Sequence, residues 1–187
     1  MSNRQVTLTA FALATIATTL VAPAALANDW SSHGLNQSHQ RLSSERSGAT
    51  FGGQRWTFTL PQSTGSVSSP AVADGLLVFG AIDGMVRAVG ATDGQLRWQT
   101  MLGESVIAAP AIDRGKVFVP SLDGKLYALH LGTGAPAWDK DLAGLQLGSP
   151  VIADGAIIVA AGFPHRKIVK IDAANGATLW ESPADIL

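Results

Sequence analysis

Residues 108–140 read AAPAIDRGKVFVPSLDGKLYALHLGTGAPAWDK, and this stretch decides the fold. Branched and aromatic residues come in short runs: an apolar pair after Pro110, then Lys116–Val119, then the alternating Leu126-Tyr127-Ala128-Leu129, then a segment ending at Trp138. Residues of this kind suit a pleated, half-buried surface, so each run predicts a strand. Breakers stand between them, and Asp123-Gly124 suits a tight hairpin because glycine takes positive φ while the Asp side chain caps the turn. A buried helix is excluded, since a turn falls every 8–12 residues or so.

Working outward, the same pattern recurs as SSPAVADGLLVFGAIDGMVRAVGATDGQLRWQT from Ser68 and as GSPVIADGAIIVAAGFPHRKIVKIDAANGATLWES from Gly148. Pro70, Pro110 and Pro150 keep step, as do Gly75, Gly115 and Gly155, Gly94, Gly134 and Gly176, and Trp98, Trp138 and Trp180. The interval is 40 residues between the first two rows, and it grows to 42 at the last Gly and Trp through an insertion around Pro164–Arg166. Asp74-Gly75, Asp83-Gly84 and Asp154-Gly155 mark further hairpins. A four-stranded unit of this period predicts an all-β fold: a β-propeller of four-stranded antiparallel blades, with three blades present in an incomplete ring. Helical solenoids share the period but not the strand pattern. WD-type propellers are excluded because no row closes with Trp-Asp after a Gly-His, Trp138-Asp139 being a single coincidence. The blades span about 67–101, 107–141 and 147–183, within a partial propeller over 56–187 that opens with a lone outer strand at 56–60.

The row ends resemble the pyrroloquinoline-quinone-like repeat, whose motif is Ala-x-Asp-x-x-x-Gly-x-x-x-Trp. Here it stands as Ala88, Gly90, Gly94, Trp98, as Ala128, His130, Gly134, Trp138, and as Lys170, Asp172, Gly176, Trp180. The resemblance implies that each Trp docks between adjacent blades, so Gly94, Trp98, Gly134, Trp138, Asp172, Gly176 and Trp180 form a structural signature. The lead-in over 28–55, with Trp30 through Arg41 and Ser43, followed by Trp56-Thr57-Phe58, looks like the start of quinoprotein alcohol and polyvinyl-alcohol dehydrogenases. Repeats of this type also build non-catalytic scaffolds, including the barrel-assembly lipoprotein of Gram-negative outer membranes. The resemblance therefore implies either a binding scaffold or the N-terminal part of a dehydrogenase.

Residues 1–27 carry Arg4 as their only charge, an apolar run from Val6 to Ala22, and the small-x-small site Ala25-Leu26-Ala27. This predicts a secretory leader cleaved before Asn28 rather than a retained anchor, its many Thr and Ala residues lowering its hydropathy. No membrane span remains after cleavage. The whole chain has 187 residues, 47% hydrophobic and 14% charged, with net charge −1 and no cysteine. The composition predicts a folded domain. The absence of basic runs excludes nucleic acid as a partner. An exported chain without thiols has no disulfide, no haem-attachment motif and no lipidation cysteine, so a periplasmic or secreted, untethered protein is expected.

The row pattern leaves Trp56–Leu60 without the inner strands of its blade and the third blade without a neighbour. Missing propeller blades, self-association or another protein are the partners expected to cover those faces. Catalytic motifs are absent: no phosphate loop, paired carboxylates or nucleophile elbow. His33 and His39 lack a metal-ligand spacing, and Asp74, Asp83 and Asp123 suit turn capping better than calcium. The insertion Phe163-Pro164-His165-Arg166-Lys167 places His165, Arg166 and Lys167 on a blade loop, where they are candidates for an anionic ligand or simply a solvated loop. No cofactor is identifiable, and quinone with calcium enters only if the full protein is a dehydrogenase.

Overall fold

A computed structural model describes residues 55–182 apart from 62, 63, 66 and 165. The leader over 1–27, the lead-in to residue 54, His33, His39 and His165 lie outside the described residues. Each repeat row folds as one sheet. The first holds β1 (Ala71–Ala73), β2 (Leu76–Gly80), β3 (Met85–Gly90) and β4 (Leu96–Met101). The second holds β5 (Ala111–Asp113), β6 (Lys116–Pro120), β7 (Lys125–His130) and β8 (Pro136–Asp141). The third holds β9 (Val151–Ala153), β10 (Ala156–Ala161), β11 (Lys167–Asp172) and β12 (Thr178–Glu181). In every sheet neighbours in sequence are neighbours in space and antiparallel, and the inner strands β1, β5 and β9 lie side by side. Among the described residues the three blades form an arc and not a closed ring.

The innermost hairpins turn through Asp74-Gly75, Arg114-Gly115 and Asp154-Gly155, where both residues have positive φ (49° and 72°, 46° and 73°, 52° and 73°). Two such residues in succession give the backbone twist that two-residue hairpins favour. The register then assigns each side chain to one of two neighbours, because successive residues of a strand point to opposite faces. In the second blade Val117, Val119 and Leu129 pack with Val78, Val86, Ala88 and Trp98 of the first. Phe118, Leu126 and Ala128 face the other way, against Ile152, Ile157, Val159 and Ile171 of the third. The core therefore lies between blades. Burying each such aliphatic side chain contributes about 1.5–3 kcal/mol, and that gain exists only when two blades meet.

Two details differ from the sequence expectation. The outer strands do not end at the Trp: they begin two residues before it and run on, because the ladder extends through Leu102 N–H to Gly84 O and Leu142 N–H to Gly124 O (both 2.9 Å). Residues 56–60 form no strand, since among the described residues no inner strands stand beside them to supply a ladder. Their side chains still alternate as a strand's would, Trp56, Phe58 and Leu60 being half-buried and Arg55, Thr57, Thr59 and Pro61 exposed.

Candidate functional site

The most regular device in the molecule joins one blade to the next. The outer hairpin of each blade carries a bulge, after Ala88, Ala128 and Lys170, which sets Trp98, Trp138 and Trp180 opposite those residues. Trp98 then reaches across to the second blade, donating from Nε1 to Leu131 O (2.7 Å), and its ring lies on Gly134. A Cβ at Gly134 would stand 2.6 Å from Trp98 Cδ2, so only glycine, here with φ +70°, leaves room for the indole. Trp138 repeats this on the third blade with Ala173 O (3.4 Å) and Gly176. Trp56, although outside any strand, does the same on the first blade with Ala91 O (3.0 Å) and Gly94. In each case the carbonyl belongs to the residue three before the glycine. Among the described residues no further blade lies against Trp180, which is 45% exposed where Trp98 is 8% exposed. Asp172, the signature carboxylate, accepts from Ala174 N–H (2.7 Å) and so shapes its own turn.

Carboxylates at the β2–β3 and β6–β7 turns are committed to the fold. Asp83 Oδ1 accepts from Met85 N–H (3.0 Å), while its Oδ2 meets Arg87 Nη2 at 2.6 Å. Burial pushes the Asp83 carboxyl up, but the Arg87 guanidinium and the Met85 N–H outweigh it and hold the group below the usual carboxylate range. Asp123 caps Lys125 N–H (3.0 Å) and accepts from Tyr127 Oη (2.5 Å). Burial, then the Asp123 bond and charge, push the Tyr127 hydroxyl up to about 12. A calcium-bound quinone requires several convergent oxygen donors. Among the described residues no group of three or more His, Asp or Glu side chains converges, and Asp83 and Asp123 are already engaged.

The insertion loop is where the second and third blades meet. Leu145 N–H donates to Phe163 O (3.2 Å), Gly162 N–H to Leu145 O (3.0 Å) and Arg166 N–H to Gly162 O (2.9 Å), and Gly144 and Pro164 form an isolated bridge. A cavity of about 540 Å³ is lined there by Leu122, Asp123, Asp141, Leu145, Phe163 and Pro164, among others. Gln146, next in sequence to Leu145, is buried and donates from Nε2 to Gly144 O (2.6 Å). The residues on either side of Gln146 point outward: Leu145 is 43% and Leu147 62% exposed, and Phe163 is 68% exposed. Lys167, a candidate for an anionic ligand, instead pairs with Glu181 Oε2 across the outer hairpin (2.8 Å), and Arg166 is exposed. Leu145 and Leu147 went unremarked in the sequence because they lie between rows; the alternation Leu145-Gln146-Leu147 between two glycines was the available signal.

Comparison with known proteins gives three findings. The family described as "Outer membrane protein assembly factor BamB" matches residues 45–185. Among solved structures, BamB from Moraxella catarrhalis is 25% identical, with a TM-score of 0.53 over 58% of this chain and 33% of that one. A quinohemoprotein alcohol dehydrogenase from Pseudomonas putida is 26% identical, with a TM-score of 0.73 over 82% of this chain and 26% of that one. A europium-containing methanol dehydrogenase, 20% identical with a TM-score of 0.69, shares the fold, and this chain covers 32% of it. The chain thus spans a third or less of the length of each. A search of the curated proteins finds no match.

Proposed function

The chain belongs to the BamB family of pyrroloquinoline-quinone-like repeat propellers, and on that premise we propose that it is a protein-docking scaffold in outer-membrane protein assembly. The observation that carries this reading is the exposed apolar trio Leu145, Leu147 and Phe163 on adjoining loops. Large apolar side chains held at the surface by a backbone mesh lose little entropy when covered, which is the character of an interaction hot spot. The exposed Asp141, which lines the same cavity, supplies a polar contact to a partner. Export goes with this role: cleavage after Ala27 would leave Asn28 as the mature N-terminus in the periplasm, readable by mass spectrometry of the purified protein. Among the described residues no helix is long and apolar enough to cross a membrane.

The test is a Leu147→Asp, Phe163→Asp double variant in the native host. It should accumulate and melt like the parent yet reproduce the outer-membrane protein defect of a deletion. A double variant with normal outer-membrane protein levels overturns the docking role. The overlap with the alcohol dehydrogenase supports a second reading, the N-terminal part of a quinoprotein dehydrogenase. Quinone- and calcium-dependent alcohol oxidation by the full-length protein would decide for that reading. The commitment of Asp83 and Asp123 to Arg87 and Tyr127 weighs against it.

A further inference from the structure

One turn of the molecule holds a chemically labile pair. Asn175-Gly176 is the only Asn-Gly in the 187-residue chain. It lies between β11 and β12, where the first and second blades have Asp93-Gly94 and Thr133-Gly134. The three turns are built alike. The side-chain oxygens of Asp93, Thr133 and Asn175 accept from the N–H two residues on, of Gln95 (3.0 Å), Ala135 (3.3 Å) and Ala177 (2.9 Å). The following glycine donates its N–H to the carbonyl four residues back: Gly94 to Gly90 and Gly134 to His130 (both 2.8 Å), and Gly176 to Asp172 (2.9 Å). In each blade the residue before the glycine is exposed and the glycine is buried, so the solvent access of Asn175 is a property of the repeat. Trp138 of the second blade covers this turn from across the joint: a Cβ on Gly176 would stand 2.9 Å from its Cε3, and its Nε1 donates to Ala173 O (3.4 Å).

We propose that Asn175 is a site of spontaneous deamidation whose rate is governed by the cover that Trp138 places on the turn. Glycine has no side chain to shield its backbone nitrogen, so an Asn-Gly pair is open to attack from within the chain. The Gly176 nitrogen, losing its proton, attacks the Asn175 side-chain carbonyl carbon; the new C–N bond closes a five-membered succinimide, and the amide nitrogen departs as ammonia. Water then opens the ring at either carbonyl, giving aspartate or isoaspartate, with one water consumed and one ammonia released overall. Two hydrogen bonds of the folded turn oppose this. The Gly176 N–H is engaged by Asp172 O and the Asn175 carbonyl by Ala177 N–H, so both must break before the nitrogen reaches the carbon. Trp138, resting on Gly176 and bonded to Ala173 O, holds the turn against the second blade, so the reactive geometry requires a local opening of that joint. The two products differ in consequence. Aspartate is what the first blade carries at Asp93, with the same bond to the N–H two residues on, and it fits the turn. Isoaspartate routes the main chain through the side chain and lengthens it by one methylene, which moves Gly176 from its seat under Trp138 and breaks the register of Asp172 N–H with Ala177 O (2.8 Å). An opening that ends in isoaspartate therefore leaves the joint unable to reclose.

Peptide mass spectrometry of the full chain incubated at mildly alkaline pH, with the aspartate and isoaspartate forms separated, tests this. Asn175 should convert in the folded parent, and roughly tenfold or more faster in the urea-unfolded chain, where the turn is always open. Trp138→Ala, at a temperature where its circular dichroism is native, should lie between the two. Trp138→Phe keeps a ring over Gly176 without the bond to Ala173 O and should lie nearer the parent. If Trp138→Ala does not fold, the parent in urea below its unfolding transition supplies the same reading, its rate climbing with denaturant before the chain unfolds. Asn175→Asp should melt with the parent, while the isoaspartate form separated from aged protein should melt lower. An Asn175 that remains an amide in the folded parent to the end of the incubation overturns the proposal, whether or not the unfolded chain converts. A rate that is the same in the folded parent, in Trp138→Phe and in urea below the transition overturns it equally. Neither result bears on the Leu147 and Phe163 surface.

Discussion

Replacing Trp98 by alanine tests whether the cohesion of this molecule resides at the joints between blades. The side chain is 8% exposed, donates 2.7 Å to Leu131 O and fills the space above Gly134. Truncating a buried Trp costs about 3–5 kcal/mol, and the Leu131 carbonyl left without its donor places this site toward the upper part of that range, near 4–5 kcal/mol. Against a total of about 5–15 kcal/mol for a typical domain, that is a large fraction. Trp180→Ala removes the same atoms from a side chain that is 45% exposed, and should cost about 1 kcal/mol or less. Trp98→Phe keeps most of the ring but loses the N–H, and belongs between them at about 1–2 kcal/mol. Urea unfolding followed by circular dichroism reads these differences, with melting temperatures falling by roughly 3 °C per kcal/mol. Trp98→Ala and Trp180→Ala variants of equal stability would refute the reasoning.

Further expectations concern the turns. Tyr127 is the only tyrosine, so phenolate absorbance reports it alone; its midpoint should lie near 12 in the folded protein, and a value near 10 would remove the Asp123 interaction from the account. Because the folded state raises this pKa, its contribution is full below about pH 10 and is lost as pH rises through about 12. Asp83→Asn leaves the buried Arg87 without its counter-charge and should cost about 3 kcal/mol at neutral pH. The depressed Asp83 pKa gives stability that is present above 3.8 and lost as pH falls below it, so the acid-side loss measured by urea midpoints should be smaller in Asp83→Asn. Gly134→Ala drives a methyl into Trp98 at a φ of +70° and should cost about 2–4 kcal/mol. Gly115→Ala, at φ +73° with no atom within 4 Å, should cost only the backbone term of about 1–2 kcal/mol; equal losses for the two would argue against the indole contact.

Much of this was legible in the chain itself. The four-stranded unit and the hairpins at Asp74-Gly75 and Asp154-Gly155 follow from local chemistry, since alternation and positive-φ glycines act within a few residues and repeat at a fixed interval. The signature Gly and Trp positions were identifiable for the same reason. Their partners were not: that Trp98 bonds to Leu131 and Trp56 to Ala91 depends on contacts 33 and 35 residues apart, which no local pattern encodes. The insertion at Phe163–Lys167 was visible as a break in the repeat, yet only the folded chain separates Lys167, drawn to Glu181, from Phe163, fixed outward beside Leu145. Sequence determines which residues form strands because that choice is made by neighbours along the chain. Tertiary structure decides which apolar faces are covered, because burial is a property of pairs of blades, and leaves Trp180 open where Trp98 is closed.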